Sequence, residues 1–177
     1  MTGAQVRGDG PAPLIVTAEL PGDIQGWAER LRQAHYPPER NRVSAHVTLF
    51  HSLPPSCEDE LHDELARWAR TVPPVPARLD GTISLGRGTA LRIVSPGMLQ
   101  LRAGLAERFS GLLTAQDAAV PRLHVTVQNK VSAAEAKALQ DELSSQAGPR
   151  EFCFPGLALH RYRNGPWDIV KRWSFRG

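Results

Sequence analysis

The sequence predicts an α+β fold built from two similar halves. Each half is expected to form a lobe with a mainly antiparallel sheet and outer helices, with a cleft between the lobes. Three observations predict this fold. A His-Val-Thr-aliphatic motif occurs twice, at 46–49 and 124–127, and the order helix, motif strand, helix, hairpin also occurs twice. The offset between the motif histidines equals the offset between Gly86 and Asn164, which begin the two predicted hairpin turns. A shared offset between landmarks indicates an internal duplication.

The first half is predicted to span 13–95, after a flexible Gly/Pro-rich tail at 1–12. β-Branched and aliphatic runs predict its strands, and apolar residues at helical spacing predict its helices. Proline pairs separate these elements because proline cannot continue a helix. The elements expected in order are a strand over 14–20, a helix over 23–35, the first motif strand over 45–50, a helix capped by Ser56 over 56–70, and hairpin strands over 77–85 and 89–94.

The second half, 96–177, repeats this order, and the two halves together form one two-lobed domain over 13–177. Ser132 and Glu135 have the spacing of a capping box, which predicts the start of a helix. The elements expected are a helix over 97–113, a loop over 114–121, the second motif strand over 122–128, a helix over 132–145, and hairpin strands over 151–163 and 167–175.

The composition is typical of a soluble globular domain and excludes several classes of protein. The chain of 177 residues has a formal net charge of +3. It has no run of about 18 apolar residues that could span a membrane and no apolar segment of a signal peptide. The two cysteines have no ligand-like spacing, so we expect a cytoplasmic protein with unpaired thiols. His35, His46, His51 and Cys57 are possible metal ligands, but no HExxH or CxxC pair supports them, and no metal is expected.

The repeated motif predicts a particular chemistry. Alternate side chains share one face of a strand, so His46 lies beside Thr48 and His124 beside Thr126. Two imidazoles that face each other suit general acid–base catalysis, because one ring can be neutral while the other is protonated. Short hydroxyls beside them can hold an anion between the rings. A phosphodiester fits this arrangement, with no metal or cofactor required.

Further residues are predicted to line the cleft. Arg122, Gln128 and Lys130 share the strand parity of the second motif and would add positive charge and hydrogen bonds around a phosphate. Phe50 has the same parity in the first strand and could stack on a base. Tyr162, in the polar stretch 160–163, could also reach the substrate. The alternatives are that Arg122 and Lys130 are simply solvated, that Phe50 belongs to the core, and that 160–163 is an outer polar face.

The two motifs together resemble those of a known superfamily. His46-Val47-Thr48-Leu49 and His124-Val125-Thr126-Val127 resemble the paired motifs of the two-histidine phosphoesterase superfamily, which contains 2′-5′ RNA ligase-like and RNA cyclic phosphodiesterase proteins. The resemblance covers 14–175, including the order of elements. One departure is Arg122-Leu123 before the second motif, where many relatives have Arg-Pro.

The resemblance implies metal-free hydrolysis or transesterification of 2′,3′-cyclic phosphates or 2′-5′ linkages, with RNA ends or small nucleotides as substrates. The protein is expected to be a monomer. It also implies that His46 is the general acid, that His124 is the general base, and that Thr48 and Thr126 bind phosphate.

Two other functions are compatible with the sequence. The protein could bind RNA ends or nucleotides in the same cleft without catalysis, and salt-dependent affinity without turnover would indicate this. The motifs could also be incidental in a small interaction protein. Histidines more than about 12 Å apart would indicate this, since both must reach one phosphate.

Overall fold

A computed structural model describes residues 11–146 and 148–177, so most of the tail predicted at 1–12 lies outside the described residues. The described part contains two four-stranded sheets with helices packed against them. The strands are β1 Leu14–Glu19, β2 Val47–Leu53, β3 Val75–Ser84, β4 Thr89–Val94, β5 His124–Gln128, β6 Arg150–Phe154, β7 Gly156–Tyr162 and β8 Trp167–Ser174. The α-helices are α1 Gly22–His35, α2 Glu58–Thr71, α3 Pro96–Arg108, α4 Ala115–Ala118 and α5 Ala133–Gln146.

The pairing confirms the predicted α+β class, because every strand pair is antiparallel. The first sheet has the order β2-β1-β7-β8 and the second has the order β5-β4-β3-β6. The hairpin β3–β4 of the first half therefore lies in the sheet of the second motif strand. The hairpin β7–β8 of the second half lies in the sheet of the first motif strand. The halves exchange hairpins, and neither sheet is built from one half alone.

The strand predicted over 151–163 is in fact two strands that belong to different sheets. β6 pairs with β3, whereas β7 pairs with β1 and β8. Pro155 separates them, and it lacks the N–H that a continuous ladder would use. Gly156 then allows a close approach, since a Cβ there would lie 2.0 Å from the carbonyl oxygen of Trp173. The chain changes sheets at this point because Pro155 cannot continue the backbone pairing and Gly156 has no side chain to block the close approach to β8.

Smaller differences concern helix ends. The helix predicted over 97–113 ends at Arg108 and is followed by a 3₁₀ turn at Ser110–Leu112. The predicted loop that follows contains α4, which Thr114 caps by accepting a hydrogen bond from the Asp117 N–H. Ser56 lies in a 3₁₀ turn and Cys57 occupies the position before α2, so Ser56 is not the cap. The capping box of Ser132 and Glu135 is confirmed by reciprocal hydrogen bonds of 3.0 and 3.1 Å.

The core lies between the sheets and their helices. Helix α2 packs on β7 and β8 through Leu61 and Leu65, and α5 packs on β3 and β4 through Leu139 and Leu143. All four leucines are buried, and each such burial contributes about 1.5–3 kcal/mol.

Both motif strands contain a β-bulge directly after the motif threonine. In the first sheet Thr48 pairs with Thr17 and Phe50 pairs with Val16, which leaves Leu49 as the extra residue. The second sheet repeats this pattern, because Thr126 and Gln128 pair with consecutive residues of β4 and leave Val127 unpaired. A bulge interrupts the alternation of faces along a strand. The residues that follow the bulges therefore turn into the core instead of continuing along the cleft.

Candidate active site

The two motif strands lie at the edges of their sheets and approach each other. His46 immediately precedes β2, and His124 is the first residue of β5. The motif histidines and threonines are all half-buried, whereas the valine within each motif is fully buried. Each strand thus anchors its apolar face in the core and carries an imidazole and a hydroxyl on the opposite, half-buried face, as alternation requires.

The two imidazoles are held in the same way. His46 Nδ1 lies 2.7 Å from the carbonyl oxygen of Ser44, and His124 Nδ1 lies 2.6 Å from that of Arg122. A carbonyl oxygen only accepts, so Nδ1 must carry the proton and donate it in both rings. Nε2 is therefore the nitrogen of each ring that remains available to exchange a proton.

The surroundings of His46 include an aromatic and a third histidine. The Trp167 ring lies 4.5 Å from the His46 ring and 5.5 Å from the His160 ring, measured between centroids. His160 Nε2 lies 2.9 Å from Thr17 Oγ, and Thr17 pairs with Thr48 across the sheet. His160 Nδ1 is buried and has no hydrogen-bond partner among the described residues. The sequence pattern did not single out this cluster, although His160 lay in the polar stretch 160–163.

Burial sets the protonation state of the first half-site. The pKa of His46 is lowered from 6.5 to about 4, mainly by burial and to a smaller extent by the charges of Arg32, His124 and His51, while the hydrogen bond to the Ser44 carbonyl opposes the shift. The pKa of His160 is also lowered to about 4, mainly by burial and then by the charge of His46. A charged imidazole loses hydration in such a site, so the neutral form is favoured. Both rings are neutral near pH 7.

The flanking residues predicted for the cleft fall into two groups. Arg122 and Lys130 are exposed, and Lys130 follows the end of β5 with a positive φ of 60°. Tyr162 is 40% exposed and pairs with Trp167, so it shares the face of His160, two residues before it. These three remain candidates for substrate contact.

Phe50 and Gln128 are not in the cleft. Phe50 is fully buried, and the guanidinium of Arg102 lies 4.4 Å from its ring centroid, so no base can stack on it. Gln128 is 4% exposed, and its Oε1 accepts a hydrogen bond of 3.1 Å from Thr89 Oγ. Both were predicted from regular alternation, and both follow the bulges that end it.

Two buried arginines cross between the halves and hold the motif strands. Arg32 of α1 is 3% exposed and donates to the Thr126 carbonyl at 2.6 Å and to the Val43 carbonyl at 2.8 Å. Arg102 of α3 is 4% exposed and donates to the Leu49 carbonyl at 3.0 Å. Each arginine comes from one half and binds the bulged region of the other half's motif strand. Their positions could have been noticed, because each lies on the buried stripe of its helix.

Arg102 also joins a buried carboxylate to the end of β2. It donates to the carbonyl of Asp117, and the Asp117 side chain is fully buried. That carboxylate accepts hydrogen bonds of 2.9 Å from the N–H groups of His51 and Ser52, and it also bonds the His51 ring at 3.1 Å. This contact gives the His51 ring a structural partner, and the hydrogen bonds together explain why a carboxylate can be buried here.

The described residues contain neither a metal-binding cluster nor a membrane-spanning helix. They contain no group of three or more His, Cys, Asp or Glu side chains placed to hold a metal ion. No helix among them combines the length and the apolar character needed to cross a membrane.

The fold and the paired motifs define a class of phosphoesterase, and comparison with known proteins identifies the family. The model of the 2′-5′ RNA ligase superfamily matches residues 20–166, so the chain belongs to this superfamily. The resemblance stated from the motifs is thereby confirmed. A search of curated proteins found no match.

Solved structures with the same fold include two bacterial proteins. Escherichia coli LigT complexed with 3′-AMP is 21% identical with a TM-score of 0.64, and the match covers 95% of this chain and 100% of that one. TT0787 of Thermus thermophilus is also 21% identical with a TM-score of 0.63, and the match covers 93% of this chain and 98% of that one. A structure described as a phosphoesterase is similar at 21% identity with a TM-score of 0.63, covering 95% and 100% of the two chains. At these identities the likeness concerns the fold.

Proposed function

We propose that this protein is a metal-independent phosphodiesterase that opens 2′,3′-cyclic phosphates at the ends of RNA or on nucleotides and leaves a 2′-phosphate. The observation that carries the proposal is the matched hydrogen bonding of the two imidazoles. Each Nδ1 donates to the carbonyl two residues earlier, which leaves Nε2 of His46 and of His124 free for proton transfer. LigT has been crystallised with 3′-AMP, ATP and NADP⁺, which supports a nucleotide ligand.

We assign His46 as the general base and His124 as the general acid. Burial beside Trp167 keeps His46 neutral near pH 7, and a neutral imidazole accepts a proton. His46 takes a proton from water as the water oxygen bonds to phosphorus. The bond from phosphorus to the 3′ oxygen breaks, and His124 donates a proton to that oxygen. This assignment is the reverse of the one implied by the family resemblance.

The threonines complete the site. The hydroxyls of Thr48 and Thr126 donate hydrogen bonds to the non-bridging oxygens and stabilise the charge that develops there. If the 5′-hydroxyl of a second RNA replaces water as nucleophile, the same proton transfers join the two strands by a 2′-5′ linkage. The same residues can therefore carry out both hydrolysis and 2′-5′ ligation. We also expect the protein to act as a monomer in the cytoplasm, which light scattering of the purified protein and its localisation in cells would test.

Turnover by the metal-free protein tests the proposal. Protein treated with EDTA is incubated with adenosine 2′,3′-cyclic phosphate, and the 2′- and 3′-phosphate products are separated by chromatography. We expect 2′-AMP, with His46→Ala and His124→Ala each losing about 10²–10⁴-fold in rate. His35→Ala, at the end of α1, is the matched control and should retain its rate. Binding of 3′-AMP without turnover of any cyclic phosphate would contradict catalysis and indicate a binding protein.

A sulfur-bridged substrate tests the two roles separately. When sulfur replaces the 3′ leaving oxygen, the departing thiolate needs no proton. With this substrate, His124→Ala should hydrolyse at nearly the rate of the parent protein, whereas His46→Ala should remain slow. The opposite pattern would restore the assignment that the family implies.

A further inference from the structure

The two half-sites differ in the charge beside their histidines. Ala18 pairs with Val47, so the next residue of β1, Glu19, lies beside His46. In the second sheet Arg92 of β4 pairs directly with His124. Residues that face each other across an antiparallel pair have Cβ atoms roughly 4.5–5.5 Å apart and project from the same face. One histidine thus has a carboxylate as its neighbour and the other has a guanidinium.

The two neighbours also differ in their own partners. Glu19 is held by Arg172 of β8 at 3.3 Å, so its charge is compensated. Arg92 is exposed, and none of the ion pairs among the described residues includes it. Arg122 is likewise exposed and unpaired within the described residues. Two exposed guanidinium groups without a carboxylate partner among the described residues therefore flank His124.

A hollow of about 690 Å³ adjoins these two arginines. Its lining contains no acidic residue, and its polar members besides the arginines are Thr82, Ser84 and Ser95. A second hollow of about 520 Å³, near the end of β5, is lined by Arg40, Arg42 and Lys130 but also by Glu39. The hollow lined by Arg92 and Arg122 therefore offers two guanidinium groups and no carboxylate to an anion.

We propose that Arg92 and Arg122 form a subsite for a second phosphate, the 5′-phosphate of the nucleotide whose cyclic phosphate lies between the two histidines. Guanidinium groups bind phosphate oxygens through two parallel hydrogen bonds. Arg92 of β4 and Arg122, two residues before β5, can therefore bind one phosphate from two sides. The substrate class is then the 3′-terminal nucleotide of an RNA chain or a 5′-phosphorylated nucleotide, and not a plain nucleoside cyclic phosphate. This inference rests on the proposed function for the identity of the first phosphate.

Calorimetric binding of two product-like nucleotides tests the subsite without requiring turnover. The dissociation constants of adenosine 3′-monophosphate and adenosine 3′,5′-bisphosphate are compared at fixed salt. We expect the bisphosphate to bind at least 10-fold more tightly. In Arg92→Gln and Arg122→Gln this ratio should fall toward one, whereas Arg70→Gln, which removes an exposed charge on α2, should leave it unchanged.

The outcomes separate this inference from the proposed function. Equal binding of the two nucleotides by the parent protein would overturn the subsite even if cyclic phosphates are hydrolysed. A preference that Lys130→Gln abolishes and Arg92→Gln does not would also overturn it, because the second phosphate would then lie at the other hollow. A preference that depends on Arg92 in a protein without turnover would support the subsite and contradict the enzyme. Melting temperatures of all variants exclude loss of folding as the cause.

Discussion

At the scale of single residues, two identical motifs acquire different properties from their neighbours. Both motif histidines donate Nδ1–H to the carbonyl two residues earlier, but only His46 has Trp167 packed 4.5 Å from its ring. Removal of water by such packing disfavours a charged imidazole. The difference in environment, and not the motif itself, is the basis of the proposed assignment of His46 as the general base.

Replacing Trp167 by alanine should raise the pKa of His46. Water would reach the ring, so the pKa should move from about 4 toward the ordinary value of 6.5. Titration of the imidazole followed by NMR measures this directly, and the acidic limb of the pH profile of kcat/KM should shift in the same direction. Trp27→Ala, which removes a tryptophan that packs near Arg150, serves as the control. An unchanged His46 titration would show that Trp167 does not set its protonation.

Stability should decrease as the pH falls from about 6.5 to about 4. His46 and His160 have pKa values of about 4 in the fold, below the unfolded value of 6.5, so the unfolded chain binds more protons in this window. Each ring contributes on the order of 3 kcal/mol, which is present above pH 6.5 and lost below pH 4.

Urea unfolding at several pH values checks this, and His160→Gln should reduce the slope of stability with pH by about half. His35→Gln should leave the slope as it is. If stability is flat between pH 6.5 and 4.5, the rings are not held neutral.

At the scale of elements, the buried arginines connect each helix to the opposite motif strand. Arg32 donates to the Thr126 and Val43 carbonyls, and the Nε of Arg102 donates to the Leu49 carbonyl. A bulge interrupts the regular pairing of a strand, and these guanidinium groups supply hydrogen bonds there. Bulges of this kind are therefore parts of the site and not defects in the sheets.

Arg32→Met should destabilise the protein by about 3–5 kcal/mol, because buried carbonyl groups lose a charged donor. Arg32→Lys keeps the charge but not the planar fork, so an intermediate loss is expected. Urea unfolding measures both, and Arg30→Met, at an exposed position of the same helix, should change stability by less than about 0.5 kcal/mol. A loss in Arg32→Met no larger than in Arg30→Met would show that the contact to Thr126 carries no stability.

Alternation along a strand agrees with the burial of the motif residues, since the valines are buried and the histidines and threonines are half-buried, but it failed beyond them. Nothing in the residues after Thr126 distinguishes a regular strand from a bulged one, so Gln128 could not be placed. The apolar pair Leu49-Phe50 did carry a signal, since two adjacent apolar residues break a half-buried pattern. The cluster of Thr17, His160 and Trp167 could not be predicted, because it forms only through pairing between strands that are distant in sequence.

At the scale of the whole molecule, the repeated order of elements predicted two sheets, and the structure confirms them. The exchange of hairpins was not predictable from that order, because each hairpin could equally have joined the sheet of its own half. Long-range pairing of β3 with β6 and of β7 with β1 determines which sheet each hairpin joins.

Because of this exchange, the chain should unfold as one unit and its halves should not fold alone. Fragments 1–95 and 96–177 each lack strands that their own motif strand needs for a complete sheet. We expect each fragment to give a poorly dispersed amide NMR spectrum, and an equimolar mixture to regain the dispersion of the intact chain. The intact protein should show coincident transitions by fluorescence and circular dichroism. A well-dispersed spectrum from either fragment would contradict this.

The exchanged hairpins also have a consequence for how such a chain could have arisen. A single half-length polypeptide would hold one motif strand but would send its hairpin away from that strand. Two identical copies could complete each other's sheets by exchanging hairpins, as in a domain-swapped homodimer with two-fold symmetry. Tandem fusion of the two copies would then free each half to diverge, so that one kept a glutamate and the other an arginine beside its imidazole. In a symmetric ancestor the two histidines would have had identical surroundings, so neither could have been fixed as the acid or as the base.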